Sequence, residues 1–509
     1  MPFSPEKFGV ESPLQRSRRW SNLWLKNKKV LNNVLFNVRL QKQQSSPKQP
    51  IQPQPNNQKP IYVSPKKPNK AQDFVNSQCV IDKTSLLPDQ ILLQILSKLP
   101  KSQRNSNSLV SKRWLNLQGR LVRSIKVLDW DFLKQGRIFY RFPNLVNIDI
   151  VNGCLFSPRN CSILVSNEVL TYWIDSDKEG SCGLLNEGNL VVSSDVDLGL
   201  KILVNGYPNL RKMAVMNASE MGLLNVAEEC PILQELELHR CNDQVLRGIG
   251  ACSNLQILKL IGNVEGLYGS VVSDVGLTIL AQGCSRLVKL ELSGCEGGFE
   301  GIKAIGQCCL MLEELILAHH RMEDGWLPAL SYCENLKTLR FLSCKSIDNS
   351  PGSDENLGFC QAIERLHLEK CQLRDKRSVR ALFRVCQGAR EIVVKNCWGF
   401  QDDMFRVAAV CRRVKYLSLE GCSLLTVEGL ESVLPSCLEL QSLRVISCNN
   451  IKESEVTPAL STLFSSLKEL RWWPDTKSSL SSALAGTSLG KRGHRFLKKT
   501  CDWKSLPGI

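Results

Sequence analysis

The chain has 509 residues with 22 cysteines, 65 Lys and Arg against 49 Asp and Glu, and a formal net charge of +16 at pH 7. That length exceeds one ordinary hydrophobic core, so several domains or a quasi-one-dimensional stack is expected. A short secreted disulfide scaffold is excluded by size, Met1 to Trp20 lacks an apolar signal stretch, and no window approaches the roughly eighteen apolar residues of a membrane span, so a soluble intracellular protein with reduced thiols is expected.

Charge is concentrated at the start of the chain. Residues 1–80 carry fourteen Lys and Arg against Glu6, Glu11 and Asp73, a net +11 that leaves +5 for everything else. Within that extension Trp20, Leu23, Trp24, Leu31, Val34, Leu35 and Val38 recur near helical spacing, interleaved with Lys26, Lys28, Lys29 and Arg39. The pattern predicts a basic amphipathic helix over 20–40, suited to an acidic partner, a membrane surface, a targeting role or docking on the chain's own folded part. Residues 41–70, rich in Gln, Pro and Lys, are predicted to be a disordered linker. Lys66, Lys67 and Lys70, and Lys491, Arg492, Arg495, Lys498 and Lys499 in the tail 474–509, read as nuclear-localisation patches or as solvated charge runs, leaving nucleus and cytoplasm both open.

A helical module is predicted over 83–130. Leu86-Leu87-Pro88-Asp89 opens a helix whose apolar face is Ile91, Leu92, Ile95, Leu96 and Leu99, and Pro100 stops it. A second short helix is expected to start at 102–106 and carry Leu109 and Val110 through to Trp114, followed by an apolar run of Leu117, Leu121, Val122 and Ile125.

From 140 to 473 one spacing repeats: a Cys, an apolar residue three positions on, apolar residues at plus six and plus eight, and a Cys at plus eleven. Cys230 and Cys241, Cys284 and Cys295, Cys333 and Cys344, Cys360 and Cys371, Cys386 and Cys397, Cys411 and Cys422, and Cys437 and Cys448 form such pairs. Cys252 leads instead to Asn263, and Cys309 to His320. Units of about 22 to 27 residues fall in the leucine-rich-repeat range. Less regular copies around Leu145 and Ile148, Leu210 and Met213, and Leu470 and Trp472 bring the count to eleven or twelve. In each unit the Leu-x-Leu strand alternates inward and outward, with a helix starting at motifs such as Ser273-Asp274 or Thr426-Val427. The fold class is α/β: parallel strands inside, helices outside, preceded by the small helical module.

The cysteines read as buried structural thiols. Their eleven-residue step is set by the repeat and no C-x-x-C pair occurs, so neither a metal site nor a disulfide framework is expected. None of the five histidines has a Cys or Ser partner in a nucleophile motif, and no phosphate-loop or H-E-x-x-H motif occurs.

The segments Leu87-Pro88-Asp89-Gln90-Ile91-Leu92-Leu93-Gln94-Ile95-Leu96-Ser97-Lys98-Leu99-Pro100 and Ser108-Leu109-Val110-Ser111-Lys112-Arg113-Trp114, at their observed separation, resemble the F-box. The stretch from Gln103 to Val110, polar up to Ser108, is similar to the plant subtype found in auxin and jasmonate receptor F-box proteins. The repeats resemble the cysteine-containing subclass of leucine-rich repeats that commonly follows an F-box in that family. The resemblance implies a non-catalytic, substrate-recognising subunit of an SCF-type ubiquitin ligase. A Skp-type adaptor would bind through Leu87, Pro88, Ile91, Leu92, Ile95, Leu96, Leu109, Val110 and Trp114, some of which must form the module's own core, and would link to a cullin and a RING subunit. A protein substrate would sit on the outward strand residues Arg340, Leu342, Arg365, His367, Lys395, Arg444, Arg471 and Trp473, a ladder of cations suited to an acidic or phosphorylated segment. The segments 261–276 and 345–358 exceed ordinary turns and are expected to project from a rim as binding loops. No cofactor is expected from the residues, although the hormone-receptor relatives hold a polyphosphate. A ligase-independent repeat scaffold, or a small-molecule-dependent receptor within the ligase class, are the alternatives; nucleic acid ranks low because the repeats carry little of the excess charge.

Overall fold

A computed structural model describes residues 83–474 apart from 129, 155–162, 165–189, 263–270, 353–356 and 359. The described residues all belong to the unit Asp82–Ile509. The expected basic helix, linker, charge patches, C-terminal tail and Asn263 lie outside the described residues.

Helix α1 (Asp89–Lys98) follows Pro88, whose missing N–H costs nothing at a helix start, and ends at Leu99, held extended by Pro100. The second helix of the module is shorter than expected. A single turn, α2 (Arg104–Ser108), stops before Leu109, and α3 (Lys112–Leu121) begins anew because Ser111 is extended (φ −160°) and its Oγ accepts from the Trp114 N–H at 3.2 Å. Leu109 and Val110 therefore lie in the exposed turn between two helices. Leu92, Leu96 and Leu117 form the module's core, with Leu93, Leu99, Trp114 and Leu121 packed on it.

The remaining strands build one fourteen-stranded sheet: β1 (Ser124–Val127), β2 (Asn147–Asp149), β3 (Ile163–Leu164), β4 (Lys212–Met216), β5 (Glu235–His239), β6 (Ile257–Ile261), β7 (Lys289–Ser293), β8 (Glu314–Ala318), β9 (Thr338–Leu342), β10 (Arg365–Glu369), β11 (Glu391–Lys395), β12 (Tyr416–Glu420), β13 (Ser442–Ile446) and β14 (Glu469–Trp473). Thirteen are parallel and follow chain order; β3 pairs antiparallel with β1 and covers the first edge. The strand beyond the expected twelve is β1, made from the run around Ile125 that was assigned to the module. The sheet thus starts at Ser124 rather than near 140.

Register is unbroken. Ile125 pairs with Ile148, Ile148 with Met213, Met213 with Leu236, and the column continues through Leu258, Leu290, Leu315, Leu339, Leu366, Ile392 and Leu417 to Leu443. Every member is buried, so each rung extends the same apolar seam against its helical layer. The outward residues between them, such as Glu235, Glu237 and His239, are half-buried, as the two-residue period requires.

The polar groups that each rung leaves over are satisfied by its neighbour. All eighteen described cysteines are free thiols and all but Cys308 are buried. Burial pushes Cys230 up to about 11 and Cys241 up to about 12, so these two stay protonated donors. The first Cys of a unit directs its S–H at a carbonyl of the preceding rung's turn: Cys230 at Tyr207 O (3.5 Å), Cys309 at Cys284 O (3.4 Å), Cys360 at Cys333 O (3.4 Å). The second reaches back to the preceding strand: Cys344 to Leu317 O (3.3 Å), Cys397 to Leu368 O (3.4 Å), Cys448 to Leu419 O (3.5 Å). A small side chain with one weak donor is what that space accepts. His320 takes the place of the second Cys after Cys309; it packs edge-on to Trp326 (5.9 Å) and Phe341 (6.0 Å), and burial holds it neutral with a pKa of about 4.

Between the strand and the second Cys, one residue is left-handed: Arg240, Gly294, Ser343, Lys370, Asn396, Gly421 and Ser447 have φ of 51° to 65°. The turn aims each N–H at the last carbonyl of the next strand, for example Ser343 N to Glu369 O (2.8 Å) and Asn396 N to Glu420 O (2.7 Å). That bond offsets a local strain of about 1 kcal/mol where the residue is not glycine.

Helix starts are capped across rungs by carboxylates. Asp197 accepts from Ser219 N (3.0 Å) and Oγ (2.5 Å), Asp243 from Ser273 N (2.8 Å) and Oγ (2.5 Å), and Asp402 from Thr426 N (2.9 Å) and Oγ1 (2.6 Å). Three residues after each cap stands Gly222, Gly276 or Gly429, where a Cβ would come within 2.1 to 2.2 Å of the capping Oδ1. Asp348 does the same work inside the long 345–358 segment. It is buried and accepts from Gly325 N (2.7 Å) and Leu327 N (3.0 Å), while Trp326 Nε1 donates to Ile347 O (2.7 Å). The first part of that segment is thus a packing element and not a projecting loop.

Replacing Gly276 by Ala forces the Asp243 carboxylate off its cap and should cost about 1–3 kcal/mol in urea unfolding. In a chain already carrying Asp243→Ala the same replacement should cost much less. Equal losses in both backgrounds would show that the carboxylate and the glycine are not coupled.

Candidate functional site

Two surfaces come out of this geometry. On the module, Leu92 (1 % exposed) and Leu96 (3 %) are spent in its own core and offer nothing to a partner in this arrangement, and Trp114 is half-buried against them with its Nε1 donating to Thr84 Oγ1 (3.3 Å). Pro88, Ile91, Ile95 (42 %), Leu109 (83 %) and Val110 are exposed, and Leu87 is half-buried. Ile91 and Ile95 form one stripe on α1 by their four-residue spacing. Together with Leu86, five of the nineteen large exposed apolar side chains among the described residues fall within residues 86–110.

Arg113, whose role no motif in the sequence signals, fixes the entry to α1. Its Nε and Nη2 donate to Asp89 Oδ1 (2.8 and 2.7 Å), its Nη1 to Thr84 O (3.1 Å) and its Nη2 to Leu87 O (2.5 Å). Five fixed donors let one side chain hold Leu87-Pro88-Asp89 in place. The only available signal was its position one residue before Trp114.

The second surface is the outward face of the strands. Parallel register sets Arg340 beside His367, Leu342 beside Glu369 and Glu369 beside Lys395, and Arg444 beside Arg471 and Ser418. Arg444 and Arg471 line a hollow of about 260 Å³ with Tyr416, Ser442 and Glu469. Trp473 closes the last strand next to Ile446. Ser418, at an outward position by the two-residue period, is almost fully buried between its taller neighbours.

A cation ladder, however, is only half of what the face presents. Strands β4 to β14 carry eight Lys and Arg at outward positions and eight Glu. Arg340 meets Glu314 (3.5 Å), Lys395 meets Glu369 (3.9 Å), Arg444 meets Glu420 (2.9 Å) and Arg471 meets Glu469 (2.8 Å). His367 Nε2 lies 3.1 Å from Glu391, and Arg365 Nε donates to Thr338 Oγ1 (2.8 Å). On the earlier rungs Lys259 bridges Glu237 (3.5 Å) and Glu291 (3.4 Å). The columns are therefore self-neutralised and do not fit a polyphosphate, which needs several cations unmatched by carboxylates.

Burial opposes ionisation of Glu237, but the His239 hydrogen bond (2.9 Å) and the Lys259 ammonium overcome it and hold its carboxyl down at about 2. No group of three or more His, Cys, Asp or Glu side chains is placed to hold a metal ion among the described residues, and none of their helices is long and apolar enough to cross a membrane.

Because the folded pKa of Glu237 is depressed, its contribution to stability is present above about pH 4.5 and lost as pH falls toward 2. Glu237→Gln should flatten the fall in urea-unfolding free energy between pH 5 and 3 by about 1–3 kcal/mol. An unchanged slope would mean the ion network carries no linkage.

Comparison with known proteins gives the following. Residues 84–124 match the F-box-like family. A transport inhibitor response 1-like protein of rice, Oryza sativa subsp. japonica, is 23 % identical over 392 residues, covering 70 % of this chain and 64 % of that protein. The match thus spans less than two thirds of the relative's length. Among solved structures, a TLR13–ssRNA13 complex superposes at TM-score 0.36 (17 % identity; 52 % of this chain, 39 % of that one). An internalin from Listeria monocytogenes superposes at 0.29 (17 %; 48 % and 69 %). Superpositions at that level carry no argument about shape or ligand. The chain thus carries an F-box-like segment at 84–124 joined to thirteen parallel rungs, and over 70 % of its length it is similar to a transport inhibitor response 1-like protein.

Proposed function

We propose that the chain is the substrate-recognition subunit of an SCF-type ubiquitin ligase, acting in the nucleus or cytoplasm. The observation that carries this reading is the cluster of exposed apolar side chains on a module whose own core is already complete. Pro88, Ile91, Ile95, Leu109 and Val110 would be covered by a Skp-type adaptor, which brings a cullin and a RING subunit carrying the ubiquitin-loaded conjugating enzyme. Leu92, Leu96 and Trp114 support that surface from beneath, and Arg113 holds Leu87 and Pro88 in position.

The chain supplies no reacting group in this scheme. A protein substrate bound on the repeats would place its lysines at high effective concentration near the thioester, so the rate gain is one of proximity. The balanced charge of the strand face favours a substrate of mixed polarity, recognised by alternating partners such as Arg365, Glu369 and Lys395, together with Leu342 and Trp473 as apolar contacts. A repeat scaffold that acts without a ligase is the other reading, and the adaptor decides between them.

The test is affinity capture of the full chain with proteasome activity blocked, scored for adaptor, cullin and accumulating proteins. Ile91→Asp with Ile95→Asp should remove adaptor and cullin while far-ultraviolet circular dichroism and thermal midpoint stay near those of the parent. Retained adaptor in the double variant, or none with the parent chain, would refute the ligase reading.

A further inference from the structure

Residues 81–474 hold 44 Lys and Arg against 44 Asp and Glu, yet residues 370–415 hold twelve against four. The remainder of 81–474 is left with 32 against 40, so two adjacent rungs carry eight excess cations in sequence, of which Arg390, Lys395, Arg406 and Lys415 meet Glu364, Glu369, Glu428 and Glu439 of the flanking segments. The four carboxylates within 370–415 are already engaged. Asp375 caps the helix Lys376–Val385 by accepting from the Arg377 (3.4 Å) and Ser378 (2.7 Å) N–H groups, and Glu391 meets His367. Asp402 caps the next rung through Thr426, and Asp403 lies between Lys376 (3.9 Å) and Arg406 (3.7 Å).

The cations form a belt across the helical side. The helix Lys376–Val385 buries Val379, Leu382 and Phe383 and turns Lys376, Arg377 and Arg380 outward; its ten residues span about 15 Å. At its start stand Arg374 and Trp398. Trp398 is 59 % exposed although its backbone is fixed in the rim, its N–H donating to Cys371 O (2.9 Å) and its carbonyl accepting from Leu373 N (2.7 Å). At its far end Cys411 Sγ lies 3.7 Å from both Phe383 O and Cys386 O, which sets exposed Arg412 and Arg413 beside the helix terminus. Arg374, Arg377, Arg412 and Arg413 have no carboxylate partner among the described residues.

We propose that this belt binds an extended acidic segment of a protein partner, with an apolar side chain of that segment seated on Trp398. Guanidinium groups suit bidentate contact with carboxylates, and a fixed, exposed Trp beside Arg is the composition of a binding hot spot. The belt's length matches an extended peptide of about five or six residues. A long polyanion such as a nucleic-acid duplex would run beyond the belt onto the net-acidic remainder of 81–474 and meet repulsion there. The surface is separate from the strand face and from the module, and the inference stands whether or not the adaptor assignment does.

The experiment uses the full chain and a fluorescein-labelled peptide of alternating Asp and Glu around a central Leu-Phe, read by fluorescence anisotropy. Arg374→Glu with Arg377→Glu, and separately Trp398→Ala, should each weaken binding by about ten-fold or more while the thermal midpoint holds. Lys303→Glu, on another rung's helix, should leave affinity unchanged, as should Ile91→Asp with Ile95→Asp on the module. The basic N-terminal extension is common to all variants, so the differences read the belt alone. Equal affinity for the parent and both belt variants would overturn the proposal. So would a twenty-base-pair duplex that displaces the peptide at lower concentration and shows the same sensitivity to the belt variants.

Discussion

The structure depends on one constraint: in a parallel stack, the polar groups at the ends of each strand and helix cannot be satisfied inside their own rung. A buried carbonyl or N–H left unpaired costs about 1–3 kcal/mol, and thirteen rungs multiply that cost. The chain meets the constraint with three recurring devices: buried thiols donating backward, a left-handed residue whose N–H points forward, and carboxylates that cap the following helix. Each device uses a group on one rung to complete the next. Gly276 and Gly429 then follow from the carboxylates, since a side chain there would occupy the same space.

That wiring uses up the interior and leaves the surfaces free to differ. The strand columns are neutralised rung by rung, which limits their attraction for any single sign of charge and makes shape and pairing the basis of selection. Cations without a carboxylate partner among the described residues lie instead off the strand face, at Arg374, Arg377, Arg412 and Arg413 around the helix Lys376–Val385. The module at the other end completes a small core with Leu92, Leu96 and Leu117, so its remaining apolar side chains are available for association rather than folding.

The strand pattern was legible in the sequence because burial on one face imposes a strict two-residue period, and the Leu-x-x-Leu-x-Leu runs show it directly. The module's first helix was legible for the same reason, bounded by two prolines. Three features were not. Ile125 belongs to a strand, but four residues after a helix are too few to display a period. Leu109 and Val110 carry an apolar signal compatible with a helix, and only the cap at Ser111, a single hydroxyl, breaks it. Arg340, Lys395 and Arg444 were visible one strand at a time, whereas their carboxylate partners Glu314, Glu369 and Glu420 sit one rung earlier in the sequence and meet them only through register. The same holds for Asp243 and Gly276, whose relation is spatial.

Neighbouring rungs complete one another, so they should open together. The direct measurement is pulsed alkylation of thiols along a urea titration, with mass spectrometry reading each cysteine from Cys230 to Cys448. The buried cysteines should be protected without denaturant and become reactive in adjacent rungs at a shared midpoint. Isolated rungs reacting alone, with their neighbours still protected on both sides, would contradict it.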